Sequence, residues 1–205
     1  MKGLSRELLI DTGLRLLDEV GLDGLSVRRL AAELGVQSPA LYWHFKTKQE
    51  LLEGMAAAII MAAGMGPPEN DETWPVWLRR RARAYRKSLL SHRDGARLIT
   101  SARRAPDAME GFERELEAMV GLGFTPVLAL RTIMVIADYA NGFVLQEQAL
   151  HTQPSPQELE MLKRLPTLRE AFRSGGYRQP DAAFEYGLEV IVAGTQALLP
   201  PRGIG

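Results

Sequence analysis

The stretch that decides the fold is residues 21–48, which read GLDGLSVRRLAAELGVQSPALYWHFKTK. Ser26 precedes a helix-forming segment, where a serine hydroxyl can accept a hydrogen bond from the first turn, and Gly35 can end that helix in a left-handed conformation. Pro39 follows Ser38 at the start of the next helix, where proline loses no hydrogen bond. Two short helices joined by a brief glycine-containing turn are typical of a helix-turn-helix, whose second helix enters the major groove of DNA.

Helical spacing of apolar residues continues from this stretch toward both ends of the chain. Leu9, Leu16 and Leu17 recur on one helix face, and the alternating apolar and polar runs of half-buried strands are missing. We therefore predict an all-α protein of about nine or ten helices. A three-helix domain at residues 1–48 is expected to precede a larger helical domain at residues 49–205.

Composition excludes several classes of protein. The 205 residues include 25 Lys and Arg against 25 Asp and Glu, so a nucleic-acid surface must be a local patch. The chain has no cysteine, which excludes disulfides and thiolate metal sites, and its three histidines are widely separated. The N-terminal segment lacks the apolar run of a signal peptide, and the apolar run at 55–65 is too short to span a bilayer. We expect a cytoplasmic protein with no membrane partner.

The helix that begins at Ser38 has two faces of different character. Leu41 and Phe45 are four residues apart and fall on one face with Leu30 of the preceding helix, so they are expected in the core. The residues left on the outer side are Gln37, Ser38, Ala40, Tyr42, Trp43 and His44. An exposed aromatic pair needs a partner surface, which is either DNA or, in the alternative interpretation, the neighbouring domain.

Cationic side chains surround this outer side. They are Arg28, Arg29, Lys46 and Lys48, whereas the acidic residues of positions 1–48 lie mostly on the first helix and the loop after it. Charged helix faces are often only solvated, but this distribution also suits contact with a phosphate backbone.

Residues 21–52 closely resemble the N-terminal pattern of the tetracycline-repressor (TetR) family of DNA-binding regulators. The matching positions are 21–31, 34–36, 41–48 and 51–52. The resemblance implies that Arg28 contacts a guanine, a pairing that suits the geometry of a guanidinium. It also implies base contacts for Gln37, Ser38 and Ala40, and contacts with the backbone and a thymine methyl group for Tyr42, Trp43, His44 and Lys48.

The resemblance continues through the rest of the chain, where it is closest to the tetracycline repressors themselves. It is carried by residues 89–96, Gly123 with Phe124, Gly142 with Val144 and Leu145, and Phe184 with residues 187–189. It implies a homodimer that binds a pseudo-palindromic DNA operator as a repressor and is released by a small molecule. In the implied dimer, the last long helices of two subunits form a four-helix bundle.

The helices near residues 126–150 and 181–199 are the expected dimer seam. In the second of them, Leu188 and Ile191 lie at helical spacing with other apolar residues, and Gly187 and Gly194 would permit close approach of two helices.

Five positions depart from the tetracycline repressors at the drug site. Gly64 stands where they carry a drug-binding histidine, Arg81 replaces an asparagine, and Ile99 replaces the histidine that coordinates the metal. Ala102 replaces a threonine, and Gln146 replaces a glutamate that orders metal-bound water in the partner subunit. Because isoleucine offers no ligand to Mg²⁺, we expect no metal or other cofactor.

The effector is instead predicted to be an aromatic or hydrophobic small molecule with one or two polar groups. The side chains expected to contact it are Arg81, Tyr85, Ile99, Leu116, Ile133, Asp138 and Gln146.

Two other functions stay open at this point. In the first, the larger domain serves dimerisation alone, and the protein is a constitutive DNA-binding dimer without a ligand. Ser91, His92 and Asp94 offer the residue types of a hydrolytic triad. Neighbours on one helix point in different directions, whereas a triad needs residues brought together from separate elements, so we predict that the protein is not an enzyme.

Overall fold

The computed structural model of the chain describes residues 4–69, 71–103, 107–149, 155–175 and 179–199. Over these ranges the chain forms eleven helices and no strand, which confirms the all-α prediction. The helices are α1 (Arg6–Gly24), α2 (Val27–Glu33), α3 (Ser38–Leu41), α4 (Lys48–Ala62), α5 (Trp74–Leu90), α6 (Gly95–Ser101), α7 (Asp107–Gly121), α8 (Pro126–Ala149), α9 (Pro156–Lys163), α10 (Pro166–Arg173) and α11 (Pro180–Leu198).

The structure contains one helix break that the sequence did not predict. It falls at Leu165, between α9 and α10, where φ is −118° and ψ is 79°. Pro166 explains the break, because a proline disfavours the helical conformation of the residue before it.

Helices α1, α2 and α3 form the predicted three-helix unit, and α2 has the predicted ends. The Ser26 hydroxyl accepts a hydrogen bond from the Arg29 N–H at 3.2 Å, and Gly35 has a φ of 67° just after the helix. Helix α3 ends at Leu41 and residues 42–44 form turns, so Phe45 lies beyond the helix that was predicted to carry it together with Leu41. Residues 42–44 have aromatic or imidazole side chains, which lose rotamer freedom in a helix.

The core of this N-terminal unit extends into α4. Leu51 and Met55 of α4 are buried together with Leu9, Leu30 and Leu41 from the three preceding helices. Helix α4 is therefore packed rigidly against the unit that precedes it. The predicted boundary between domains, after residue 48, falls inside the first turn of this shared helix.

A capping box fixes where α4 begins. The Thr47 hydroxyl accepts a hydrogen bond from the Glu50 N–H at 3.1 Å, and the Glu50 carboxylate accepts one from the Lys46 N–H at 2.7 Å. The turn after α3 leads directly into this cap. The orientation of α4 relative to α3 is therefore fixed.

Helices α5, α8 and α11 surround a second core. Its fully buried members include Trp77, Leu78, Leu89, Ile136, Phe184 and Leu188. The Tyr139 ring stacks on Phe184 with centroids 5.3 Å apart, and its hydroxyl donates to the Phe184 carbonyl at 3.0 Å.

Gly187 serves this core rather than a dimer seam. A Cβ atom at Gly187 would overlap the Tyr139 hydroxyl of the same chain. The prediction that Gly187 permits the approach of a second subunit is therefore wrong, because its open side is filled by Tyr139. Gly194 has no side-chain neighbour within 4 Å, so close approach of another helix there stays a prediction.

Three ion pairs hold α11 on α5. The pairs are Arg79 with Glu189, Arg83 with Glu185, and Arg86 with Asp181, at nitrogen–oxygen distances of 2.6, 2.7 and 2.7 Å. Arg86 also binds Glu147 of α8 at 2.9 Å and lies over the Phe184 ring, 4.9 Å from its centroid. The arginines advance along α5 while the carboxylates recede along α11, so the pairs fix the antiparallel register of these two helices.

Within the described part of the chain, α8 is the one helix whose length and hydropathy are those of a membrane span, and 33% of its most apolar window is buried. Core helices of proteins that never meet a membrane have the same properties. Helix α8 packs against α5, α7 and α11, which is the behaviour of a core helix.

The end of α1 is bound to the turn between α5 and α6. The Asp94 carboxylate accepts a hydrogen bond from the Leu22 N–H at 2.8 Å, and Asp18 accepts one from the Arg93 N–H at 2.9 Å. Asp94 has a left-handed φ of 56°, which aims its side chain back at α1. This junction links the two cores at a point distant in sequence from α4.

We expect Asp94→Asn to lower the free energy of unfolding by about 1 kcal/mol at pH 7, because a charge-assisted hydrogen bond becomes a neutral one. Burial raises the pKa of Asp94, but the hydrogen bond from Leu22 and the Arg97 guanidinium outweigh it, so the pKa lies below its ordinary value. The charge therefore stabilises the fold above the unfolded-state pKa of about 3.9, and this contribution is lost as the pH falls through the lower folded-state pKa.

The measurement is urea unfolding of both proteins between pH 7 and pH 3 at one protein concentration. The advantage of the wild type should be constant down to about pH 5 and should shrink below about pH 4. The control is Asp23→Asn, since Asp23 also pairs with Arg97 but has a side chain 85% exposed, and it should change stability by less than about 0.5 kcal/mol. An advantage that grows on acidification would contradict this role of Asp94.

Candidate functional site: an exposed reading surface and an internal cavity

All eight residues predicted to contact DNA lie between the first turn of α2 and the first residue of α4. Five of them are exposed, namely Arg28, Gln37, Tyr42, Trp43 and Lys48. The other three, Ser38, Ala40 and His44, are half-buried. We call these eight residues the reading surface.

The aromatic pair of the reading surface does not pack against the neighbouring domain. Trp43 is 89% exposed and Tyr42 is 50% exposed. The alternative in which these rings contact the larger domain is therefore wrong. Leu41 and Phe45 beneath them are buried as predicted, so the surface stands on a rigid core.

The cations around the reading surface are free to bind an anion. Within the described ranges, Arg28, Lys46 and Lys48 form no ion pair. The nearby acidic residues have other partners, since Glu33 binds Arg15 at 2.6 Å and Asp23 binds Arg97 at 3.0 Å. A locally basic surface thus exists in a chain of zero formal net charge.

A cavity of about 500 Å³ lies between α4, α5, α6, α7 and α8. Five of the seven residues predicted to contact an effector line it: Arg81, Tyr85, Ile99, Ile133 and Asp138. Ala102, one of the five positions at which the chain departs from the tetracycline repressors, also lines the cavity. Gly64, another of these five, lies in the turn after α4 and does not line it.

Leu116 and Gln146 do not line the cavity of their own chain. On α7 it is Phe112 and Glu115 that face the cavity, and the next residue, Leu116, turns toward the core of the larger domain. Gln146 lies on an exposed part of α8, about two turns beyond Asp138. A contact between Gln146 and an effector in a partner subunit stays a prediction.

Several lining residues were not predicted from the sequence. They include Ile60, Met61, Met65, Phe112, Glu115, Met134 and Asn141. The apolar run that ends α4 and the spacing of Phe112 and Glu115 on α7 were visible in the sequence, but neither reveals which face of a helix borders empty space.

The innermost polar contact of the cavity is an ion pair between Arg81 and Glu115. One carboxylate oxygen, Oε2 of Glu115, receives Nε of Arg81 at 2.9 Å and a terminal nitrogen at 2.8 Å. The two side chains are only 7% and 5% exposed. Pairing makes burial of both charges tolerable, because either charge alone would be strongly destabilising.

A second polar contact lies one turn further along α5. The Tyr85 hydroxyl donates a hydrogen bond to the side-chain oxygen Oδ1 of Asn141 at 3.2 Å. In this orientation the Asn141 amide nitrogen is left to donate elsewhere.

Ser91, His92 and Asp94 do not form a triad. The Ser91 hydroxyl donates to the Ser88 carbonyl at 2.7 Å, and the His92 ring contacts Asp18 at 3.0 Å. Asp94 binds the Leu22 N–H, as described above. Each side chain is thus engaged with a different element, and the serine has no base within hydrogen-bond reach.

Among the residues that the structure describes, no group of three or more His, Asp or Glu side chains could hold a metal ion. The two described histidines, His44 and His92, lie outside the cavity lining. The cavity therefore offers an incoming ligand arginine, asparagine and carboxylate groups within a mainly apolar wall.

Comparison with known proteins shows which family models the two parts of the chain match. Residues 9–55 match the family model "Bacterial regulatory proteins, tetR family", and residues 66–199 match "Tetracyclin repressor-like, C-terminal domain". The class C tetracycline repressor of Escherichia coli is 37% identical over 207 residues, covering 97% of this chain and 93% of the repressor.

Solved structures show the same likeness in three dimensions. A TetR variant from Acinetobacter baumannii in complex with minocycline has a TM-score of 0.80 at 32% identity, covering 97% of this chain and all of that one. The structure of BioQ with its double-stranded DNA operator has a TM-score of 0.67 at 27% identity, covering 95% of this chain and 99% of BioQ. Both family models and the full-length relative lead to one conclusion: the chain belongs to the TetR family of bacterial regulatory proteins.

Proposed function

We propose that the protein is a homodimeric, DNA-binding transcriptional repressor that a small molecule in the cavity releases from its operator. The observation that carries this proposal is that α4 and α6 each line the cavity and also pack in the N-terminal core beneath the reading surface. Ala56 of α4 lines the cavity and is buried in the N-terminal core. On α6, Ile99 lines the cavity while its neighbour Leu98 is fully buried in the N-terminal core.

This arrangement gives a ligand a physical route to the DNA. A ligand that binds one arrangement of α4 and α6 more tightly than another shifts the population toward that arrangement, and no other effect can do so. Operator binding requires two reading surfaces about 34 to 36 Å apart, in successive major-groove segments. A shift of α4 changes this spacing, because the reading surface runs into the cap of α4.

We assign DNA binding to residues 1–48, and ligand binding and dimerisation to residues 49–205. Within the first part, Arg28, Gln37, Ser38 and Ala40 are proposed to face bases. Tyr42, Trp43, His44 and Lys48 are proposed to contact the backbone and a thymine methyl group. The BioQ complex with its operator supports DNA as the partner of this surface.

The alternative of a ligand-free DNA-binding dimer is less well supported. A domain that serves dimerisation alone has no need of a cavity, whereas about 500 Å³ is an ordinary size for a ligand site. The minocycline complex of the Acinetobacter baumannii relative also supports a ligand-responsive regulator. Since the relatives are repressors, we further propose that the protein is not an enzyme and acts in the bacterial cytoplasm.

A second copy of the chain is proposed to cover α8 and α11. These helices carry apolar side chains that the single chain leaves exposed, namely Val127, Leu130, Val135, Tyr186, Val190 and Leu198. The predicted seam residue Leu188 is fully buried in the core of its own chain, and Ile191 is half-buried. Placing Leu188 in the seam was wrong, because the face of α11 that it shares with Phe184 packs on α5 and α8 of the same chain.

We expect Val190→Glu to yield monomers that no longer bind an operator, because the dimer would bury an unpaired charge. Sedimentation at micromolar concentration measures the oligomeric state. Val76→Glu is the matched control, since Val76 of α5 is equally exposed, at 54%, but lies outside α8 and α11. A Val190→Glu protein that remains dimeric would remove this face from the seam.

Arg28→Ala should weaken binding to the correct operator by about 1 to 3 kcal/mol and relax the preference at one guanine. Lys48→Ala should instead weaken binding to all sequences alike and reduce the salt dependence, because a phosphate contact releases a counterion whatever the base. Titrations of operator and random DNA at several salt concentrations separate the two effects. If Arg28→Ala and Lys48→Ala both weakened binding to operator DNA and to random DNA equally, Arg28 would be a phosphate contact only.

We propose that tetracycline with Mg²⁺ does not release this repressor, although the class C relative is a tetracycline repressor. Ile99 and Ala102 line the cavity and can neither coordinate Mg²⁺ nor order its water. The test is to titrate tetracycline with MgCl₂ into the operator complex and follow the release of DNA. No release is expected at micromolar drug, and release that a chelator abolishes would show that the replaced residues do not decide the ligand.

A further inference from the structure

The unused hydrogen-bonding capacity of the Arg81–Glu115 pair indicates what kind of ligand the cavity takes. This step rests on the proposed function, because it assumes that the cavity is a ligand site. A guanidinium has five N–H groups, and Arg81 uses two of its nitrogens, both on the single oxygen Oε2 of Glu115. The remaining terminal nitrogen has no partner in the described structure and belongs to a side chain that lines the cavity.

The free nitrogen of Arg81 is accessible from the cavity. The side chain is 93% buried, on the 7% exposure given above, yet this nitrogen is not among the described buried atoms that lack a hydrogen-bond partner, so it borders open space. Glu115 holds the guanidinium in place, so the free edge of Arg81 is presented in a fixed direction. The Asn141 amide nitrogen, left free by the Tyr85 hydroxyl, adds a second donor on the neighbouring helix.

The other charges at the cavity are less selective. Arg103, Glu110, Arg114 and Asp138 are all exposed, so water and salt screen their interactions with a ligand. They also balance one another in sign. The buried donors therefore decide which polar group is accepted in the interior.

We infer that the effector is an apolar, aromatic-sized molecule that carries an acidic group, such as a carboxylate, sulfonate or phenolate, and that Arg81 binds this group. A guanidinium suits such a group because it donates parallel N–H bonds to an oxyanion, and these bonds are stronger than those between neutral groups. The apolar body of the ligand lies against Ile99, Ile133 and the methionines Met65 and Met134, whose flexible side chains adapt to its shape.

The test compares two fluorescent probes on the full-length protein. Anilinonaphthalene sulfonate carries an acidic group, and phenylnaphthylamine has the same ring system without it. We expect the wild type to bind the sulfonate at least about tenfold more tightly, as one charge-assisted hydrogen bond implies. Arg81→Met with Glu115→Gln removes both buried charges together and should abolish the preference for the sulfonate, so that both probes bind with about equal affinity.

Two further variants isolate the role of Arg81. Glu115→Gln alone retains the guanidinium and should retain the preference for the sulfonate. Arg83→Met removes an arginine of the same helix that binds Glu185 outside the cavity, and it should change neither probe. Operator binding by each variant, measured in parallel, shows that it is folded.

The inference of an acidic ligand would be overturned if the wild type bound both probes equally, or if the preference for the sulfonate survived the loss of Arg81. The cavity would still be a ligand site in either case. Binding of neither probe by a protein that still binds its operator would overturn the inference and also count against a ligand-responsive function.

Discussion

The structure depends on the packing of α4 and α6 between two hydrophobic cores. Both helices are short relative to the molecule, and each buries residues on opposite sides, so neither core can be completed without them. Ile99 packs against both cores at once. Because packed interiors resist deformation, a displacement of one face of these helices must be accommodated at the other face. In the proposed function, this shared packing is what couples the reading surface to the cavity.

The rest of the molecule supplies rigidity to this arrangement. The arginines of α5 pair with carboxylates of α11, and Arg86 adds contacts to α8 and to the Phe184 ring. Exposed ion pairs contribute little individually, but here they share one helix and are combined with aromatic burial. The larger domain thereby offers a stiff wall of α5, α8 and α11, against which α4, α6 and α7 enclose the cavity.

The N-terminal unit could be predicted from the sequence in detail, because local signals determine it. Ser26, Gly35 and Pro39 act through the backbone of their own turns, and those effects need no knowledge of distant residues. The cavity could be predicted only in part. That Leu116 faces the core while Glu115 faces empty space depends on how α7 is rotated against α8, which is a long-range packing outcome. The burial of Leu188 and the filling of the space beside Gly187 by Tyr139 have the same origin.

The separation of exposed from buried residues in the reading surface affects how such proteins diversify. Its exposed members alternate with the buried anchors Leu41 and Phe45, so the residues proposed to meet DNA are separate from those that hold the fold. In the proposed function, a substitution at Gln37 changes what is presented to a base at little cost to stability, since surface changes away from packed features are nearly neutral. Duplicated copies of such a gene can therefore acquire different operators through single mutations, each step passing through a folded protein.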